Sequence, residues 1–247
     1  MTIHQYQKKC AREYISSIKF PRENTYLYGN PVNTVVPIET AIGKVMVIGP
    51  HPAAKLYYVS DIPDVPLYDV SAPFSIEPYF DGSRIRSSFT GQEFNEIILE
   101  TLEIKRQDCW LTSLVKVFLF DEGQVKKYAR LSRDIKENRS RFKEYANRSL
   151  QWIRDEIEIA NPYVIILLGP EVIQSLLLMS EEEAMEAMTG KVIEKKIIWK
   201  NSNFICLPPP GVILDRSARN PWPRKFAMKI GPTAMKEIQR LKAQPTL

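Results

Sequence analysis

Few side chains in this sequence can move a proton near neutral pH. There are two imidazoles, His4 and His51, and three thiols, Cys10, Cys109 and Cys206. His51 is the candidate for acid–base work. It lies two residues past Gly49, where the apolar run VMVIGP ends, and an imidazole there titrates near neutrality. Asp61, Asp64, Asp69, Glu77 and Asp81 follow it in a proline-broken stretch and are candidates for orienting a water molecule; the same five acids also suit a solvated loop. The thiols stand almost a hundred residues apart with no C-x-x-C pair, which writes neither a disulfide framework nor a zinc motif; buried, inert thiols are expected. With so few histidines no His/Cys metal centre and no cofactor is expected.

A second kind of chemistry is written in charge. The net charge is +5, but segments 124–148 and 201–247 each carry +6, leaving −7 for the remainder. Two basic segments on an otherwise acidic chain fit a polyanion partner, because phosphates respond to clustered cations rather than to the average. Segment 124–148 fits a solvated helix face equally well. The stretch ICLPPPGVILDRSARNPWPRK, residues 205–225, combines a stiff exit at Pro209 and Pro210, a permissive Gly211 and the cations Arg216, Arg219, Arg224 and Lys225, within reach of a phosphate chain. Val212, Ile213 and Leu214 either wedge into a duplex or return the chain to the core.

These groups need elements to hold them. Ile3, Tyr6, Cys10, Tyr14, Ile15 and Ile18 have the spacing of one helix face, and KVMVIGP (44–50) reads as a strand buried on both sides. Residues 57–90 are too broken by prolines for a long regular element. Phe94 to Leu102 return to helical spacing, and CWLTSLVKVFLF (109–120) reads as a strand with its exit. A helix over 140–160 leads to the strand PYVIILLG (162–169), with Pro170 opening the next helix. KIIWKNSNFICLPPPG reads as two short strands around a turn at Lys200 to Asn203, and Thr233 as the cap of a last helix. The expected fold is a three-layer α/β/α sandwich on a central, mostly parallel four-stranded sheet, in a single domain over 1–247. Its parts are an N-terminal helix and connection (1–41), a core (42–225) and a C-terminal helix (226–247). In such sheets ligands sit beyond the carboxyl ends of the strands, here the segments from Gly49, Ser113, Gly169 and Pro208. No apolar stretch is long enough to span a membrane and the polar N-terminus lacks a secretory core, so a soluble, cytoplasmic protein is expected.

VMVIGPHPAAK, SSFTGQEFNEIILETL, CWLTSLVKVF, IANPYVIILLGPEVIQSLL and CLPPPGVILDRSARNP stand in the order and approximate spacing of the uracil-DNA glycosylase superfamily, which the chain resembles over about 42–225. The pattern is most similar to the iron-sulfur and related thermophile-type branches, although the cysteines that a cluster needs are missing. The resemblance implies DNA as partner and a base pocket from Gly49, Pro50, Pro52, Phe89, Gly91 and Thr112, with Phe89 stacking on an extruded base. It aligns Ser113 with the family's uracil-reading asparagine and Pro209 with the histidine that stabilises the departing base anion. The family's strand-end acid is absent, and His51 is the residue able to compensate. Lys116, retained from the family motif, joins the residues expected along the nucleic-acid backbone.

Cleaving a base from deoxyribose makes an oxocarbenium-like sugar and a base anion, so catalysis depends on donors aimed at that anion and on a group that holds water near the sugar. A serine hydroxyl donates and accepts from one atom of short reach, and proline donates nothing. Three readings follow: a divergent glycosylase using Ser113 and His51, a nucleic-acid-binding protein of the same fold without catalysis, or an enzyme acting on free nucleosides or nucleotides.

Overall fold

The structure is a computed structural model that describes residues 1–80, 83–87, 89–133, 135–197, 200–215 and 217–243; for residues 87, 89, 90, 195–197, 200 and 201 only the backbone is described. Helix α1 (Ile3–Ser17) starts at Thr2, whose hydroxyl accepts from the Gln5 amide while the Gln5 side chain accepts from the amide of Thr2, and it buries Tyr6, Cys10 and Tyr14. The first core strand, β1 (Val45–Gly49), is buried throughout. Two antiparallel hairpins come next: β2 (Ala54–Val59) with β3 (Ile62–Asp69), and β4 (Pro78–Phe80) with β5 (Ile85–Ser87). The sequence hid them because prolines at 63, 66 and 78 read as breakers, yet two-stranded ribbons are all edge and tolerate proline.

Helix α2 (Phe89–Glu93) continues as a wider π turn over Phe94–Leu99 and leads to β6 (Cys109–Ser113). Short α3 (Glu122–Tyr128) precedes α4 (Phe142–Ala160), which ends at Asn161 in the left-handed conformation (φ 41°). Strand β7 (Val164–Leu168) turns through Gly169 (φ 92°) into α5 (Pro170–Leu177), with the proline in the first turn as expected. Helix α6 (Glu181–Ala187) leads to the hairpin β8 (Val192–Ile197) and β9 (Lys200–Leu207). Helices α7 (Pro210–Leu214), α8 (Trp222–Lys225) and α9 (Gly231–Lys242) complete the chain.

The sheet has five strands in the order β6-β1-β7-β9-β8, four parallel and β8 antiparallel at the edge. The expected four-stranded sheet is thus corrected by one strand. VIEKKI of β8 is too charged to read as a buried strand, and Lys200 to Asn203, expected as the turn, belong to β9; residues 198 and 199 lie outside the described residues. Thr233 is also corrected: it lies inside α9 and its hydroxyl donates to the Lys229 carbonyl at 2.7 Å instead of capping. Alternate strand residues divide between two cores. Met46, Ile48, Trp110, Ile165 and Leu167 pack with α1, α4 and α5, whereas Val45, Val47, Leu111, Ile166 and Leu168 pack with Phe94, Ile98 and α9. The result is an α/β/α arrangement, in which no described helix is long and apolar enough to cross a membrane.

Candidate functional site

Four strand ends meet along one edge. Gly49 lies opposite Ser113 in the parallel register, the Leu114 amide donates to the Gly49 carbonyl at 2.8 Å, and the Val115 amide donates to Pro50 at 2.9 Å. On the other side of β1, the Gly169 amide donates to Leu207 at 2.9 Å, which joins the ends of β7 and β9. Because paired residues share a face, Ser113 projects to the same side as the hydrogens of Gly49.

That side carries an aromatic ring the sequence did not single out. A Cβ on Gly49 would lie 2.8 Å from Cζ of Phe74, so only glycine lets the half-buried ring sit over the end of β1. Phe74 is stacked on Phe94, with ring centroids 4.3 Å apart. Its backbone is left-handed (φ 52°), a conformation that bulky residues avoid and that persists only where surroundings enforce it. Arg106 does so: it donates to the Phe74 carbonyl at 3.1 Å, to Asn95 at 2.9 Å and to Glu39 at 3.0 Å. Gly91 lets the same loop pack closely, since a Cβ there would lie 2.2 Å from the Ser75 carbonyl oxygen and 2.6 Å from that of Phe74. The signal in the sequence was Pro73-Phe74, an aromatic residue in a loop just downstream of the first strand end. Gly91 is therefore packed on the backbone of Phe74 and Ser75, while the side chain of Phe89 lies outside the described residues.

Thr112, one residue earlier on β6, faces the opposite core. It is fully buried and its hydroxyl accepts from Lys116 Nζ at 2.6 Å, which corrects its placement in a base pocket. Lys116 is corrected too. Its side chain has no exposure, forms an ion pair with the equally buried Glu156 and donates to the Ser113 carbonyl at 3.1 Å, so it reaches no phosphate. Ser113 itself is 2% exposed.

His51 turns away from Ser113 towards the α1/α4 core. Its ring meets Phe118 edge-on at 5.9 Å, and Nδ1 is 3.0 Å from the Pro52 carbonyl. A carbonyl only accepts, so Nδ1 carries the proton and Nε2 keeps its lone pair. Burial pushes the imidazole pKa down to about 4, the Arg139 charge adds to the fall, and the Pro52 bond and Asp121 oppose it. Arg139 pairs with Glu171 at the start of α5. Beside them opens a cleft of about 770 Å³ lined by Arg139, Ser140, Lys143, Asn147, Glu171 and Gln174. The basic segment thus borders the strand-end edge.

At the exit of β9, Pro209 lies 3.7 Å from where a Gly169 Cβ would stand and offers no donor. Pro210 is buried in the first turn of α7, which corrects its expected place along a nucleic-acid backbone. Gly211 is open to solvent and Val212 is 37% exposed, whereas Ile213 returns to the core. Arg219, Arg224 and Lys225 are exposed, Lys225 over the Trp222 ring at 5.3 Å; Arg216 lies outside the described residues. Of the acids after β1, Asp69 and Glu77 hold the surrounding loops with their carboxylates, and Asp64 does so with its backbone carbonyl. Asp69 accepts from Tyr26 at 3.1 Å and from the Asn33 amide at 2.8 Å, Glu77 accepts from the Ser71 amide at 3.1 Å, and the Asp64 carbonyl accepts from Tyr128 at 3.0 Å. Asp61 is exposed at the turn between β2 and β3, and Asp81 lies outside the described residues. All three thiols are buried, which pushes each up to about 12, where a thiolate is not available at neutral pH. Among the described residues no cluster of His, Cys, Asp and Glu could hold a metal ion.

The family model for the uracil DNA glycosylase superfamily matches residues 40–229, well over half of the chain. No curated protein matches it.

Proposed function

Because the chain belongs to the uracil DNA glycosylase superfamily, we propose that it binds DNA and takes an extruded base at the ends of β1 and β6, with Phe74 as the stacking surface and Ser113 as the polar contact. Any glycosidic cleavage it performs is slow. The observation that carries this reading is the contrast between a retained platform and a missing donor. Gly49 and Gly91 fit the ring and the backbone of Phe74 closely, whereas the position that the resemblance gives to the family's anion-stabilising histidine holds Pro209. Losing one such donor costs on the order of 100-fold or more in rate. Stacking needs no donor, because every base has a π face. Arg219, Arg224 and Lys225 supply the phosphate contacts.

The test is to hold the protein in excess over oligonucleotides containing uracil, hypoxanthine or xanthine, treat them with alkali, and titrate binding against salt in parallel. The expected result is salt-dependent binding, with base release at least about 100-fold slower than from a relative that has the histidine. Affinity indifferent to salt would contradict it.

A second reading has one specific support. At neutral pH His51 is uncharged and Nδ1 is engaged, so Nε2 is free to accept a proton from water. On this reading the protein is a glycosylase whose rate follows a group titrating near 4, and His51→Gln abolishes cleavage while leaving DNA binding intact.

A further inference from the structure

Residues 1–39 lie outside the family match, yet they reach the carbonyl of Ser113 through an unbroken chain of buried hydrogen bonds. Tyr6 of α1 donates to Glu156 Oε1 at 2.7 Å, and Trp110 donates to Oε2 at 2.7 Å. Glu156, so fixed, pairs with Lys116. The ammonium then has two further acceptors, Thr112 Oγ1 at 2.6 Å and the Ser113 carbonyl at 3.1 Å. The backbone of Lys116 is gripped as well: its amide donates to the Tyr14 oxygen at 2.8 Å and its carbonyl accepts from Val35 at 2.8 Å. Ser149 commits its proton to the Tyr145 carbonyl at 2.8 Å, so Tyr14 donates to Ser149 at 2.6 Å and stays free to accept from Lys116. Each of Lys116's three ammonium protons thus has an acceptor, a condition for a buried charge to act as a rigid fixture.

We propose that α1 is a positioning element for the base site: Tyr6 and Tyr14 fix Glu156 and Lys116, and Lys116 pins the end of β6 so that Ser113 stands beside Phe74. The end of β6 is bonded through Leu114 and Val115 to Gly49 and Pro50, so a shift there reaches the end of β1 as well. The proposal rests on the reading of this edge as a base site. Tyr6 and Tyr14 are positioning residues and touch no substrate.

The test compares wild type with Tyr6→Phe/Tyr14→Phe, which keeps both rings and removes both hydroxyls. The control is Phe20→Leu, which loosens the packing on Tyr145 and leaves the polar chain intact. Two quantities are read in protein that melts cooperatively: amide hydrogen exchange at Leu114 and Val115, and the ratio of affinities for a uracil-mismatched duplex and a fully matched one. In the double variant, exchange at those two amides rises about tenfold beyond that in the control, and the affinity ratio falls several-fold with the salt dependence unchanged. If both quantities equal those of the control, α1 is only packing and the proposal fails. If wild type shows no preference for the mismatch, the base-site reading fails; exchange at Leu114 and Val115 still decides whether α1 fixes the end of β6.

Discussion

Thr112 and Ser113 are neighbours on one strand and serve opposite regions. Thr112 looks into a core that holds a buried ion pair and the hydroxyls and indole bonded to it. Ser113 is paired with Gly49 on the other face of the sheet, where the glycine admits the ring of Phe74, stacked on Phe94 and held in a left-handed backbone. The first region is over-determined by hydrogen bonds, and the second is shaped by what is left out, a Cβ at Gly49 and another at Gly91. The difference is one of means: charged and polar contacts hold the strand end from behind the sheet, and close packing without side chains shapes the aromatic side, where the proposed function puts the base.

Removing one charge from the polar region is the most severe way to break this contrast. Lys116→Met leaves Glu156 buried without its cation and costs about 3–5 kcal/mol in urea unfolding, whereas Lys116→Met/Glu156→Leu is far milder because no charge is stranded. An equal loss in the single and the double variant would mean that the pair is not what stabilises that core. His51 supplies the next largest effect. Its folded pKa, about 4, lies below the ordinary 6.5, so the unfolded chain binds more protons between those values. Stability is intact above about 6.5, falls as the pH drops to about 4, and loses roughly 3 kcal/mol in all. His51→Gln flattens that limb when unfolding midpoints are compared with wild type across pH.

On the aromatic side, Gly91→Ala forces a methyl into the Ser75 carbonyl and destabilises by about 1–3 kcal/mol in thermal melts, because the backbone of residues 74 and 75 must shift. Phe74→Ala sharpens the comparison further. It removes about 1–3 kcal/mol of binding to an oligonucleotide with an unpaired base, while binding to matched duplex is unchanged. The smallest effect belongs to the exposed cations: Arg219→Ala, Arg224→Ala and Lys225→Ala each lower the slope of log affinity against log salt by about 0.9, seen in fluorescence titrations.

The strands at 45–49, 109–113 and 164–168 were legible in the sequence because both faces are buried and the apolar runs are unbroken. Helices α1 and α4 were legible from a clean helical period. Of the edge strand β8 only the end was legible, as the first of two short strands with its turn placed too late, since Glu194, Lys195 and Lys196 carry no apolar run. Lys116 read as a phosphate contact because nothing in one sequence announces that Glu156, forty positions away, waits inside the core. Phe74 is hidden in the sequence for a similar reason: its neighbours Gly49 and Phe94 are brought to it by the fold, and its left-handed backbone is invisible in composition. Gly49 and Ser113, by contrast, were found where the sequence pointed, at the ends of adjacent strands.

The central claim, that an extruded base is held on the Phe74 side of the β1 and β6 ends, is tested most directly by photocrosslinking an oligonucleotide carrying a single unpaired 5-iodouracil and mapping the attachment site. The account predicts attachment at Phe74, lost in Phe74→Ala. Attachment confined to the cleft beside Arg139 or to the β2–β3 hairpin would contradict it.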